Sequence, residues 1–144
     1  MATYNFFDGS IEGQMVPPQM EIGTNQVTVL RNVVDFALQN IDQSAGDLAQ
    51  VLRIPADTTV LTAGIRVITG EASTTVDIGV TGTNIDQWGD ALSGATAGAV
   101  LGLLNAPLHF SAADTIDLIP GTAVDWTSLK VEVFAECIKQ IDTY

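Results

Sequence analysis

Cysteine and histidine are almost missing from this sequence, since its 144 residues include one of each, Cys137 and His109. A disulfide bond within the chain is therefore impossible. A metal site built from cysteine and histidine ligands is excluded for the same reason. Only oxygen ligands remain for a cation, and we predict neither a metal ion nor a cofactor.

Positive charge is also scarce. The chain has five lysine and arginine residues against seventeen aspartate and glutamate residues, which gives a formal net charge of −12 at pH 7. Such a surface repels phosphate groups, so we expect partners that are neither nucleic acids nor membranes. A hydrophobic content of 47% predicts a folded chain, and the length fits a single domain.

Signals for export and for membrane insertion are lacking as well. The first residues, "MATYNFFDGSIEG", contain neither the basic stretch nor the apolar run of a secretory signal. Residues 91–113 carry no charge, but glycine, asparagine and proline interrupt them, and their apolar core "AVLGLL" is far shorter than the ~20 residues of a membrane helix. We interpret this segment as buried chain of a soluble protein, or as chain that another subunit covers in part.

The strongest pattern in the sequence is the alternation of apolar and polar residues. In "LKVEVFAECIK", every second residue from Leu129 to Cys137 is apolar, which predicts a strand with one buried face. Phe134 and Ile138 fall on the opposite, polar face and indicate partial cover there too. The pattern therefore places this strand in the interior of a β-protein.

Five other segments have the composition of strands. In "TTVDIGV", Asp77 and Gly79 are predicted to point outward between inward valine and isoleucine side chains. "DLAQVLRIP", "TVLTAGIRVITG" and "TIDLIPGT" end at proline or glycine. "QVTVLRNVVDFAL" changes its apolar parity between Val29 and Leu30, which predicts a bend or bulge. Turn residues between the runs are typical of a sandwich or barrel.

Helix signals are poor. "QNIDQSAGDLAQ" has room for one turn, and "NIDQWGDAL" for another with Asn84 as its N-cap. Neither segment is long. We therefore predict an all-β fold, an antiparallel, jelly-roll-like β-sandwich over residues 26–144, which follows an extended N-terminal arm over residues 1–25.

The arm has its own composition. "YNFF" holds three aromatic residues within four positions, and the prolines of "MVPPQM" prevent regular strand pairing. The aromatic residues either form an edge strand folded back on their own domain or reach a partner, where they give a large contact area for little entropy loss. The candidate partner-binding residues are Tyr4, Phe6, Phe7, Val16, Pro17 and Pro18.

A ligand site is the alternative interpretation of "STTVDIGVTGTNIDQWGDAL". Three aspartates, Asp77, Asp86 and Asp90, supply oxygen ligands of the kind that calcium prefers, but their spacing matches no compact calcium loop. Trp88 beside Asp86 resembles a sugar platform, but we favour the interpretation of Trp88 as a tryptophan that plugs the core. We interpret the segment as a strand, a turn and a tryptophan lid, and retain Asp86 and Trp88 as candidates for a ligand loop.

No catalytic constellation is evident. His109 and Ser111 are close in sequence, but the G-x-S-x-G motif of a hydrolase is missing. Glu132 and Glu136 lie on one strand about 13 Å apart, too far for the carboxylate pair of a glycosidase. We therefore predict that the protein is not an enzyme.

The run "LRIPADTTVLTAGIRVITGEASTTVDIGVTGTNIDQW", with the later "SAADTIDLIPGT" and "KVEVFAE", resembles small virion proteins of tailed bacteriophages, particularly capsid decoration (cement) and other head-associated proteins. The likeness covers roughly residues 48–136, leaves out the arm, and carries no binding residues across. It implies a β-sandwich subunit that forms a homotrimer or homodimer, binds the major capsid protein on the outer capsid surface of the virion, and is made in the host cytoplasm. The alternative is a carbohydrate-binding or adhesion module of a virion spike or fibre.

Overall fold

The structure, a computed structural model, describes residues 1–5, 27–82, 84–102, 107–121 and 124–139. These residues form ten β-strands and no helix, so the chain contains no helix in this part that is long and apolar enough to cross a membrane. The strands are β1 (Thr3–Asn5), β2 (Val27–Asp35), β3 (Leu48–Ile54), β4 (Thr58–Thr69), β5 (Thr75–Val80), β6 (Asn84–Ser93), β7 (Val100–Gly102), β8 (Leu108–Phe110), β9 (Asp114–Pro120) and β10 (Lys130–Lys139).

The strands make two sheets. The first sheet has the order β1-β3-β9-β5-β6, and the second has the order β2-β10-β4-β7, with β8 also paired to β4. Neighbouring strands are antiparallel except β1 and β3, which run parallel. Without the short β1 and β8, the orders 3-9-5-6 and 2-10-4-7 are those of an eight-stranded jelly roll. The predicted all-β sandwich is confirmed.

The core lies between the two sheets. The alternation predicted for β10 and the residue before it is confirmed. The inward residues are all fully buried: Leu129, Val131, Val133, Ala135 and Cys137. The prediction for β5 holds for its apolar residues, since Val76, Ile78 and Val80 are buried too. Both tryptophans are fully buried, and the Trp126 ring packs on Phe36 with ring centroids 4.8 Å apart. Burial of this apolar surface, at about 25 cal/mol per Å², is the main source of stability.

The strand β6 replaces the one helical turn, capped by Asn84, for which the sequence left room in residues 84–92. Residues 84–93 form a strand that pairs with β5 from Val80↔Asn84 to Thr75↔Ser93. Hydrogen bonds to β5 satisfy the backbone of the segment, so its weak local helix preference has no effect. The pairing contains two register shifts, and Ala91 has a φ of 48°.

Gly79 also departs from the predicted pattern. Alternation placed it on the outer face, but it is buried, because β6 crosses directly over it. A Cβ atom at this position would lie 2.2 Å from the carbonyl oxygen of Asn84 and 2.3 Å from the carbonyl carbon of Ile85. Glycine is therefore required here by the close approach of two backbones.

The strand β2 is more regular than expected. It pairs with β10 over nine consecutive residues without the bulge that the parity change at Val29 and Leu30 predicted. Val29 points outward and is 41% exposed, while Leu30 packs against the core from the inner side. Apolar residues on both faces, and not a bulge, explain the change of parity.

The described residues of the uncharged segment 91–113 lie mostly at the surface. Among its described residues Gly94 and Phe110 are buried, but residues 95–98 are exposed, and Val100 is 50% exposed. The interpretation as buried chain is therefore wrong for most of residues 91–102 and 107–113. The chain passes here from the first sheet to the second, so it runs along the outside of the sandwich.

The beginning of the predicted arm belongs to the sandwich. Strand β1 pairs with β3 in the register Thr3↔Leu48, Tyr4↔Ala49 and Asn5↔Gln50. The backbone N–H of Ala2 also donates a hydrogen bond of 2.9 Å to Oδ1 of Asp47. Residues 6–25 of the arm, with the candidates Phe6, Phe7, Val16, Pro17 and Pro18, lie outside the described residues.

Candidate interaction surface

The outer face of the second sheet is built from alternate residues of β2 and β10. The register pairs Val27 with Ile138, Val29 with Glu136, Arg31 with Phe134, and Val33 with Glu132. Apolar and charged side chains therefore alternate across this face, whereas a solvated face of an antiparallel sheet is ordinarily polar throughout. Phe134 and Ile138, which the sequence placed on this face, are half-buried.

An ion triad lies at the centre of this face. Nη2 of Arg31 lies 2.8 Å and Nη2 of Arg66 3.2 Å from the same carboxylate oxygen, Oε2 of Glu132. The register explains this meeting, because Glu132 of β10 lies beside Arg66 of β4. The hydrogen bond from Arg31, and then that from Arg66, lowers the pKa of Glu132 against the opposing effect of burial. The carboxylate therefore stays ionised at ordinary pH, and the two arginines compensate its negative charge.

The triad leads to a modest prediction for stability. Both arginines are exposed, so we expect Glu132→Gln to lower the free energy of unfolding by only about 0.5–1 kcal/mol at neutral pH. Because the folded pKa is depressed, the contribution is present above the unfolded pKa and is lost as pH falls through the folded value. Urea unfolding of the native protein and of the Glu132→Gln variant at several pH values measures this difference in the free energy of unfolding. Glu136→Gln, on the same strand, is the control, and an equal loss in that variant would contradict the prediction.

Charge is distributed unevenly between this sheet and the rest of the chain. Strands β2, β4 and β10 contain four basic and three acidic side chains, which leaves a charge of +1: Arg31, Arg66, Lys130 and Lys139 against Asp35, Glu132 and Glu136. The whole chain carries −12. Three large apolar side chains are exposed on the same face, Val27 (58%), Val29 (41%) and Val100 (50%). The face is therefore close to neutral and partly apolar, as interaction surfaces often are.

The candidate ligand loop does not form a common surface. Asp86 is exposed, but the Trp88 ring is fully buried in the core, so a sugar has no exposed indole face on which to stack. Burial favours the core role of Trp88 that the sequence also suggested. Nε1 of Trp88 meets no acceptor within the described part of the chain.

Asp77, the third aspartate of this segment, has a structural role. Its Oδ1 accepts a hydrogen bond of 2.7 Å from the backbone N–H of Ala91, the residue with positive φ in β6. Partial burial, followed by the charges of Asp90 and Asp86, raises the pKa of Asp77. Among the described residues, no three acidic, histidine or cysteine side chains lie close enough to share a metal ion. The carboxylate holds the irregular part of β6 in place.

A buried carboxylate that the sequence analysis missed lies in β9. Asp117 is 1% exposed and accepts hydrogen bonds from the hydroxyl of Thr115 at 2.7 Å, from the hydroxyl of Thr81, and from the backbone N–H of Thr81 at 3.1 Å. Burial raises its pKa. A single charged residue inside the otherwise apolar run "TIDLIP" is the feature of the sequence that could have indicated this carboxylate. It fastens the turn between β5 and β6 to β9.

His109 lines one surface pocket together with Ser111, the catalytic partner that the sequence suggested, and with Asp114. It is exposed in β8, and its Nδ1 lies 3.1 Å from the hydroxyl oxygen of Thr59 on β4. This contact follows from the pairing of the two strands, which sets Thr59 opposite His109. The histidine thus contributes to a cross-strand contact.

Comparison with known proteins gives structural neighbours only. No family model matches the sequence, and no curated protein matches it. A chain from the capsid of Ralstonia phage GP4 is similar with a TM-score of 0.62 and 13% identity, over 98% of this chain and 100% of that one. A chain from the cyanophage Pam1 capsid asymmetric unit is similar with a TM-score of 0.55 and 19% identity, over 90% of this chain and 95% of that one. At these identities the likeness demonstrates a shared fold.

Proposed function

We propose that this chain is a structural protein of a phage virion, and more specifically a decoration or cement protein that binds the outer surface of the head. In this role it contacts the major capsid protein, bridges neighbouring subunits and stabilises the shell. The observation that carries the proposal is the end-to-end match of the jelly roll to chains found in two phage capsids. The resemblance of residues 48–136 to head-associated proteins supports it independently.

The match in length matters for the specific role. The jelly roll spans 100% and 95% of the two capsid chains, so those chains consist of this fold and little else. A subunit of this size, with a rigid core and a face of low charge, suits attachment to an existing shell. A cement protein needs complementary contacts and no reaction centre, and the carboxylates of Asp77, Asp117 and Glu132 are all engaged by the fold. We accordingly propose no enzymatic activity.

The carbohydrate-binding alternative receives no such support. It depended on Trp88 as a stacking platform, and the ring is fully buried.

The proposal is tested by adding the purified protein to heads that lack it. We expect saturable binding, density on the outer surface in cryo-electron microscopy, and release of the genome at a higher temperature. Heads that bind none of the protein at saturating concentration would refute the proposal. Binding without thermal protection would retain the location and refute the cementing role.

The aromatic arm provides a further prediction. We propose that Phe6 and Phe7, with Val16, Pro17 and Pro18, contact the shell, since aromatic anchors commonly dominate interfaces. Truncation of residues 1–25 is a poor test, because it removes β1 and uncovers the edge of β3. Instead, the double substitution of Phe6 and Phe7 by serine should weaken head binding at least about tenfold, which corresponds to about 1.4 kcal/mol.

Occupancy of heads titrated with each protein measures this effect. The double substitution of Met15 and Met20 by serine in the same arm is a comparison for general loss of apolar surface. Unchanged occupancy in the Phe6 and Phe7 variant, with an unaltered melting temperature, would remove these residues from the contact with the shell.

A further inference from the structure

We propose that two copies of this chain join edge to edge through β2, with residues 27–31 of each copy paired antiparallel across a twofold axis. The second sheet then continues from one copy into the other. This inference concerns association of the chain with itself and does not depend on the proposed attachment to a capsid.

The first argument is the state of the sheet edges. A long, regular edge strand offers unpaired backbone groups to any other strand, so native proteins shorten, bulge, charge or cover such edges. Among the described strands, β1, β7 and β8 have three residues each. The edge strand β6 is long, but it has register shifts, a residue with positive φ, and the charges of Asp86 and Asp90.

Within the described part of the chain, strand β2 has none of these protections over most of its length. It has nine residues without a register shift, contains no proline, and carries one charge, that of Arg31, before Asp35 at its end. Val27 and Val29 are exposed on one face, and Leu30 is only partly covered on the other. By contrast, β1 of the same chain covers the adjacent edge of β3 in the first sheet. No described residue does the same for β2.

The second argument is electrostatic and shows that another copy of the chain can approach this edge. Two chains that each carry −12 repel one another over most of their surface. The strands β2, β4 and β10 carry +1 together, so an approach at the β2 edge avoids this repulsion. A self-complementary contact is then allowed at this edge.

The register of the pairing follows from the side chains. If the twofold axis passes beside Val29, then Val29 lies opposite Val29 of the second copy, and Arg31 lies opposite Val27 of the second copy. No like charges face each other, and β-branched pairs are favourable across antiparallel strands. Centring the axis on Arg31 would oppose two positive charges and is disfavoured. An isologous contact of this kind closes with two copies and does not propagate into a fibre.

A cysteine crosslink tests the register directly. The native Cys137 is fully buried, and burial raises the pKa of its thiol to about 12, so it does not compete under mild oxidation. In the proposed pairing the Cβ atoms of the two Val29 positions are about 4.5–5.5 Å apart, which is close to disulfide geometry. We expect Val29→Cys to form a covalent dimer rapidly at low protein concentration.

Val100→Cys is the matched control. Val100 is an exposed valine on the same face of the same sheet, but it lies on β7 at the opposite edge. The Val100→Cys variant should remain largely monomeric under the same oxidation. Equal crosslinking of the two variants, or none in Val29→Cys with an intact fold, would overturn the proposal.

Sedimentation equilibrium of the purified protein gives a second, independent measurement. The native chain should associate to a dimer, and Val29→Lys should raise the dissociation constant at least tenfold, whereas Val100→Lys should leave it unchanged. A native chain that is monomeric at every concentration would overturn the proposal. The β2 edge would then be covered by another segment of the same chain or by a different protein. Because these measurements use no heads, a failure of shell binding and a failure of dimer formation are separate outcomes.

Discussion

Replacing Trp88 by alanine should lower the free energy of unfolding by about 3–5 kcal/mol. The indole is fully buried within β6 and belongs to the contiguous core between the two sheets. Its removal leaves a large cavity that the rigid β-sandwich can fill only in part. The shift of the midpoint of urea unfolding, at an unchanged m-value, measures this loss of stability.

Two control variants separate this core role from a ligand-binding role. Trp88→Phe keeps most of the apolar volume and removes an N–H group that has no acceptor among the described residues, so its cost should be much smaller. Ile85→Ala, at a position on the same strand that is 46% exposed, should change stability little. If Trp88→Ala retained nearly full stability and lost binding to a glycan, the core assignment would be wrong and the ligand loop would be restored.

These expectations show which parts of the fold are encoded locally. The alternation from Leu129 to Cys137 gave the correct buried face of β10, because a strand between two others must place one face in the core. The segment beginning at Asn84 was misassigned, since its strand conformation depends on pairing with β5 and not on its own composition. Gly79 was misplaced for the same reason, because only the path of β6 makes it buried.

The candidate surface was recognisable in part. Phe134 and Ile138 indicated an outer face that is not purely polar, and the structure confirms that both are half-buried. The ion triad was not recognisable, because Arg31 and Arg66 are 101 and 66 residues from Glu132 and meet it only when both strand registers are known. Among the described strands, the position of β2 at an edge also becomes known only from the order of strands in the sheet. Pairing between distant segments is therefore the information that local patterns lack.

Glu71 illustrates the same dependence and should have the second largest effect on stability. It follows β4, and its carboxylate accepts hydrogen bonds from the loop that leads into β10. The donors are the Thr127 backbone N–H at 3.0 and 3.1 Å, the Thr127 hydroxyl at 2.7 Å, and the Leu129 N–H at 3.1 Å. The carboxylate thus fixes the ends of two neighbouring central strands.

We expect Glu71→Ala to lower the free energy of unfolding by about 2–3 kcal/mol at neutral pH, because hydrogen bonds to a charged acceptor are strong and several donors lose their partner together. Partial burial acts to raise the pKa of Glu71, but the hydrogen bonds from Thr127, Ser128 and Leu129 outweigh it and lower the pKa below its ordinary value. The contribution is therefore complete above the unfolded pKa and is lost as pH falls through the folded value. Unfolding curves at a series of pH values should show the gap between the native and variant proteins narrowing below about pH 4. Glu136→Ala, at an exposed position on β10, should show no comparable loss of stability. If the loss of stability in Glu71→Ala stayed constant down to low pH, the carboxylate would not hold this loop.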